Sequence, residues 1–232
     1  DNMNLSFELT HLNYLAQQPG GLTDFMFNED VFQSNRERNW FEVNWLLANF
    51  QSTYKKSHKT SFSFNTFILN AYRNAVGFRS NRVDQVDSYE ERDLIKTSFD
   101  NVGAEIKVLH EYNLFNKNIF FLVGSRLYNG SNLTVQGPGS NGNDPDFNIQ
   151  TDVYPNYENQ SQYTNPNVNY AVFSEKLIYL NKKMSITPGI RFEYIKTKSE
   201  GFYKNINTDA ADNIILNDSI NTNNTRVRSF FL

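Results

Sequence analysis

The side chains able to do chemistry are few and scattered. Three histidines, His11, His58 and His110, stand too far apart to form a local metal motif, and cysteine is absent. Glu8 and Glu111 lie near two of them, but with no second histidine beside either pair each reads as a surface or rim residue. Without cysteine there is neither a disulfide framework nor a thiolate ligand. No HExxH, GxSxG or phosphate-cradling glycine loop occurs. Gly137, Gly139 and Gly142 lie in an Asn-rich stretch with no following helix and read as loop flexibility. The run Asn141-Gly-Asn-Asp-Pro-Asp146 has the oxygen-rich composition of a calcium-binding loop but lacks the distal bidentate Glu, so it reads as a polar loop. Catalysis has no candidate residues here, and neither a resident metal nor a cofactor is expected.

The arginines remain. Arg36, Arg38, Arg73, Arg79, Arg82 and Arg92 fall in or beside the first two long connections of the chain. A guanidinium fork binds carboxylates bidentately, so the chemistry on offer is recognition of an anionic ligand. The neighbouring acids Glu37, Asp84, Asp87, Glu90, Glu91 and Asp93 offer a competing use, solvated salt bridges. A net charge of −3 speaks against a nucleic-acid partner, which would need a basic face.

The elements that position these residues are strands. Mean hydropathy is −0.60, and no window approaches the roughly 18 consecutive apolar residues of a membrane helix. A membrane β-barrel stays open, because only alternate strand residues face lipid. Aromatics reach 15 %, which suits strands and interfacial girdles. Period-two alternation places strands over residues 1–15, 39–54, 60–73, 97–112, 118–129, 168–180, 184–198 and 226–232, eight in all. In the second, the apolar phase shifts from Val43, Trp45 and Leu47 to Ala48, Phe50 and Tyr54, which marks either a bulge or a strand covered on both faces. Residues 168–180 are apolar on both faces and cannot be oriented. Pro188 costs the seventh strand a ladder hydrogen bond.

The connections between these strands run long, short, long, short, long, short, long. Outer-membrane barrels sort their loops by side in this way. The short turns hold Lys55, Lys56, Lys59, Lys117, Lys182 and Lys183 and no acid, whereas the long loops are acid-rich. The expected fold is therefore all-β, an antiparallel up-and-down transmembrane β-barrel wall. Val102, Ala104, Ile106, Val108, Ile190 and Phe192 are expected to face lipid. Glu105, Lys107, Arg126, Arg191 and Glu193 are expected on the opposite, lumen face.

Several segments resemble TonB-dependent outer-membrane receptors of the ferric-citrate and siderophore type. They are Gln33-Ser-Asn-Arg-Glu-Arg-Asn-Trp-Phe41, Phe121-Leu-Val-Gly-Ser-Arg126, Tyr170-Ala-Val-Phe-Ser-Glu175 and Ile186-Thr-Pro-Gly-Ile-Arg-Phe-Glu-Tyr-Ile195. The resemblance implies a barrel of about 22 strands around a globular plug, of which residues 1–232 would supply about eight. It also implies import of an iron chelate across the bacterial outer membrane, driven by a TonB-type partner. Under that resemblance five outer-mouth arginines, Arg36, Arg38, Arg73, Arg79 and Arg82, would hold an anionic ferric chelate, and the lumen charges would touch the plug. No signal peptide is visible at Asp1-Asn2-Met3-Asn4, and residues 226–232 read as a strand cut midway, which is expected of a fragment lacking the plug and the remaining strands. Two other readings compete: a complete eight-strand barrel with a structural or adhesion role, and a soluble carbohydrate-binding β-domain.

Overall fold

The computed structural model describes residues 2–80, 82–115, 117–181, 183–211 and 213–231. Lys182, named above among the turn lysines, and Asp212, one of the long-loop acids, lie outside them. The strands are β1 (Met3–Gln17), β2 (Trp40–Ser57), β3 (Thr60–Gly77), β4 (Asp93–Leu114), β5 (Lys117–Pro138), β6 (Ser161–Asn181), β7 (Met184–Ile186), β8 (Gly189–Thr208) and β9 (Ile214–Phe231). All join one antiparallel sheet in the order β1-β2-β3-β4-β5-β6-β8-β9, with β7 pairing β6. This is the expected up-and-down order. One short helix, α1 (Asp24–Glu29), lies in the first loop, where the Thr23 hydroxyl accepts from the Met26 N–H at 3.2 Å.

Two expectations need correction, and one left open is decided. Among the described residues nine strands stand where eight were expected, because Pro188 cannot donate to the ladder and the seventh strand breaks at residues 187–188 into β7 and β8. The phase shift in β2 is not a bulge. Its register with β1 and β3 is continuous from Trp40 to Lys55, and it is apolar on one face in one half and on the other face in the other half. The connection placed at residues 199–223 is mostly strand, with β8 and β9 paired from Phe192–Phe231 to Thr208–Ile214. Asn, Asp and Thr dominate there, so no apolar alternation marks it. Backbone ladder bonds form whatever the side chains.

The pairing register gives each face its composition. One face stacks Phe62, Val108 and Val123 in one row, then Phe64 and Ile106, then Ala104 and Leu127, then Ile68 and Val102. Ile190 and Phe192 fall on the same face through β6. Its large side chains are open to the surroundings, with Ile106 50 % and Ile190 57 % exposed. That is four alternate rows of unpacked apolar surface, about 20–25 Å along the strands at roughly 3.4 Å per residue. The opposite face is polar but contains Phe67 and Phe173, which lie across Gly103 and Gly124. A Cβ at Gly103 would stand 2.4 Å from the Phe67 ring, and one at Gly124 2.4 Å from the Phe173 ring. Phe173 therefore explains why β6 is apolar on both faces: its ring fills the space a glycine leaves on the next strand.

Candidate functional site

At the end of the sheet away from the tight turns, three loops, residues 18–39, 78–92 and 139–160, are tied by arginines. Arg38 is 1 % exposed and Arg92 is wholly buried. Arg38 donates from Nε and Nη2 to both Asp87 oxygens, at 2.8 and 2.5 Å, and from Nη1 to the carbonyls of Glu90 and Asn141. Arg92 donates to the carbonyls of Arg38, Ser140 and Asp144 and to the Ser140 hydroxyl. Arg36 reaches the carbonyls of Arg82 and Gln85 and the Ser80 hydroxyl. Burying charge is tolerable here because each guanidinium meets several acceptors in fixed geometry. The Asn-rich run serves the same knot: Asn141 and Asp144 give carbonyls to Arg38 and Arg92, and Asn143 gives one to the Trp40 indole at 2.7 Å. Three backbone carbonyls of the run are thus spent on cationic and indole donors, while the Asp146 carboxylate accepts from Asn148 and Gln150.

Electrostatics follow from this packing. Burial at Asp87 opposes ionisation, but the Arg38 hydrogen bonds, the Tyr89 N–H and the charges of Arg38 and Arg36 outweigh it, and its carboxyl lies below the ordinary range. Burial lowers Arg92, which Asp144 partly offsets. Burial and then the charge of Asp93 push Tyr157 well above its ordinary value, so it stays a neutral donor to Asp93 at 2.8 Å.

The remaining arginines face open space. Arg79 bonds the buried Asp93 at 3.0 Å while its own side chain is 55 % exposed, and Arg82 holds Asp84 in an exposed two-point contact. Arg36, Arg79 and Arg82 border one open cleft of about 1120 Å³ with Tyr14, Gln17 and Asn159. Arg38 lies beneath the loops outside this cleft, and Arg73 sits lower on the polar face over the Phe99 ring at 5.9 Å. The structure therefore brings three of the five outer arginines together and separates the other two.

The five charges expected on the lumen side share the polar face. Glu105 stands opposite Arg126, whose next neighbours in the row are Ala171 and Glu193. Lys107 and Arg191 occupy the adjacent row, separated by Gly124 and Phe173. Within strands, Lys107 bonds Glu105 at 2.6 Å and Arg191 bonds Glu193 at 3.0 Å. Asn169 adds a bond to Glu193 at 2.6 Å. Sequence reasoning missed the Asp93–Tyr157–Gln136 cluster, in which Gln136 Nε2 bonds both Asp93 oxygens at 3.0 Å. Tyr157 lies 64 residues from Asp93, and no local pattern links them.

No family model matches the chain, and no curated protein sequence matches it. Among solved structures, the ferric citrate transporter FecA in its unliganded form matches with a TM-score of 0.67 and 15 % identity. The match covers 99 % of this chain and 30 % of that one, so the chain spans under a third of the transporter it resembles. At this identity the likeness shows the fold, a section of β-barrel wall.

Proposed function

We propose that residues 1–232 form part of the wall of a TonB-dependent outer-membrane receptor that imports an anionic ferric chelate, a siderophore or ferric citrate. The observation that carries this reading is the sheet itself: up-and-down strands of 15–22 residues, apart from the three-residue β7, with four rows of exposed apolar side chains on one face and charges on the other. In this reading the apolar face meets outer-membrane lipid and the polar face lines the lumen against a plug. The long loops form the outer mouth. β1 and β9 are the two edges of the sheet, and among the described residues no ladder joins them, which supports this reading over a closed eight-strand barrel. Edge backbone groups in hydrocarbon cost several kcal/mol each, which calls for further strands of the same barrel on both sides.

The cleft at the mouth is the proposed chelate site, with Arg79 and Arg82 as its open guanidiniums; Arg36 closes its floor. Uptake of labelled ferric citrate and of a siderophore panel by cells expressing the full-length receptor tests this. Import should stop when the TonB-type partner is deleted, and Arg82→Ala should weaken binding of the accepted chelate about tenfold, roughly one charge-assisted bond. Chelate uptake indifferent to the partner would refute the reading.

A further inference from the structure

A second concavity lies on the other side of the wall. On the face that carries the apolar band, the last apolar row pairs Ile68 with Val102. Beyond it the same face turns polar: Asn70 bonds Asp100 at 2.6 Å, then Tyr72 stands opposite Ser98, then Asn74 opposite Lys96. Over these rows folds a strap from the third long loop, residues 145–149. Its path is fixed at three points. The Gln150 N–H donates to the Pro138 carbonyl at 2.8 Å, Lys96 Nζ donates to the Phe147 carbonyl at 2.9 Å, and Ile149 packs close to Gly137. Strap and strands enclose a groove of about 720 Å³.

We infer that this groove docks the sugar headgroup of a neutral glycolipid in the leaflet on the loop side. The inference rests on the proposed function, because it takes the apolar face to meet lipid. Three observations support the occupant. The groove begins on the same face two rows past Ile68 and Val102, beyond the Asn70–Asp100 pair, so a headgroup seated in it can keep its acyl chains against the apolar band. Its height selects the headgroup: Tyr72 and Asn74 lie four and six residues past Ile68, about 13–20 Å along the strand and roughly 9–14 Å above the band at a tilt near 45°. A phospholipid headgroup layer is only about 5–8 Å deep on each side, whereas sugars reach further. The lining matches sugar chemistry. Asn74, 7 % exposed, donates to Glu42 at 2.7 Å and so fixes a planar carboxylate beside a planar amide, a pair that meets adjacent hydroxyls. Tyr72 adds a ring whose face suits the C–H surface of a sugar. The lining carries two acids, Glu42 and Asp146, against the single base Lys96, which leaves no cationic excess to favour a phosphate.

The test places the full-length protein in nanodiscs holding equal amounts of a diglycosyl diacylglycerol, phosphatidylglycerol and phosphatidylcholine. Lipids still bound after release are then read by native mass spectrometry. The glycolipid should be enriched about tenfold over both phospholipids. Glu42→Ala and Tyr72→Ala should each abolish the enrichment, while Tyr72→Phe should retain most of it and Ile190→Ala, on β8 away from the groove, all of it. Should the alanine variants fail to assemble, Glu42→Gln, which weakens the acceptor without changing shape, must still lower the enrichment. Equal retention of the three lipids, or enrichment untouched by the groove variants, overturns the inference. So does binding of the free disaccharide headgroup without enrichment of its lipid, which would make the groove a soluble-sugar site. Phospholipid retained without preference defeats this inference alone, and chelate uptake by Tyr72→Ala stays at the unmodified level. Retention of no lipid of any class defeats the lipid-facing assignment and the proposed function with it.

Discussion

At the scale of single residues, the arginines divide by what surrounds their forks. Arg38 and Arg92 are spent on loop carbonyls and Asp87, so their substitution should loosen the mouth before it touches any ligand. Arg38→Ala leaves the Asp87 carboxylate half-buried and unpaired, a loss of about 3–5 kcal/mol when a buried pair is broken on one side. Protease nicking within residues 78–92 should rise sharply. Arg38→Lys, which keeps the charge but not the fork, should fall between the two. The same pair sets a pH limit. Asp87 is held below its ordinary range, so its contribution is present above about pH 4 and drains as pH falls through the depressed value. Amide protection factors in the second long loop, corrected for the intrinsic pH dependence of exchange, should hold from pH 7 to 5 and fall below about pH 4. Protection unchanged at pH 3 would sink this account. From sequence alone the arginines were visible as a group, but burial was not. Arg38 and Asn141 are 103 residues apart, and nothing local announces that a carbonyl there awaits a guanidinium.

At the scale of elements, the central strands were legible and the outer halves were not. In β4 the alternation from Asn101 to Val108 reflects two environments, so the sequence carries a period of two. Residues 199–223 meet solvent on both sides beyond the apolar band, so nothing selects alternation and the strands read as loop. The Glu42–Asn74 pair escaped notice for a related reason: Asn74 fell where the third strand was expected to have ended. The apolar half yields a direct test. Ile106→Arg sets a guanidinium at mid-depth, at about 2–4 kcal/mol, and should cut the assembled fraction measured by heat-modifiable gel migration. Ile106→Val should assemble normally. The hairpin between β4 and β5 offers another. Phe115 holds φ at 52°, a left-handed conformation that costs a bulky residue about 1 kcal/mol. Phe115→Gly should raise the refolded yield, and a lower yield would mean the exposed ring contributes more than the strain removes.

At the scale of the whole molecule, the proposed function requires one face of the sheet to meet hydrocarbon and the other a polar lumen. Residues 1–232 hold no cysteine, so single labels placed here report on this sheet alone once any cysteine elsewhere in the full-length protein is replaced. Single cysteines at each position from 102 to 108, spin-labelled in the full-length protein in bilayers, report accessibility to oxygen, which partitions into lipid, and to a nickel chelate, which stays in water. Oxygen accessibility should peak at positions 102, 104, 106 and 108 and drop at 103, 105 and 107, a period of two set by the pleat. The nickel chelate should not reach the four even positions. If it relaxes labels there as readily as a label at Gln85 in the second long loop, the sheet lies in water and the membrane account is wrong.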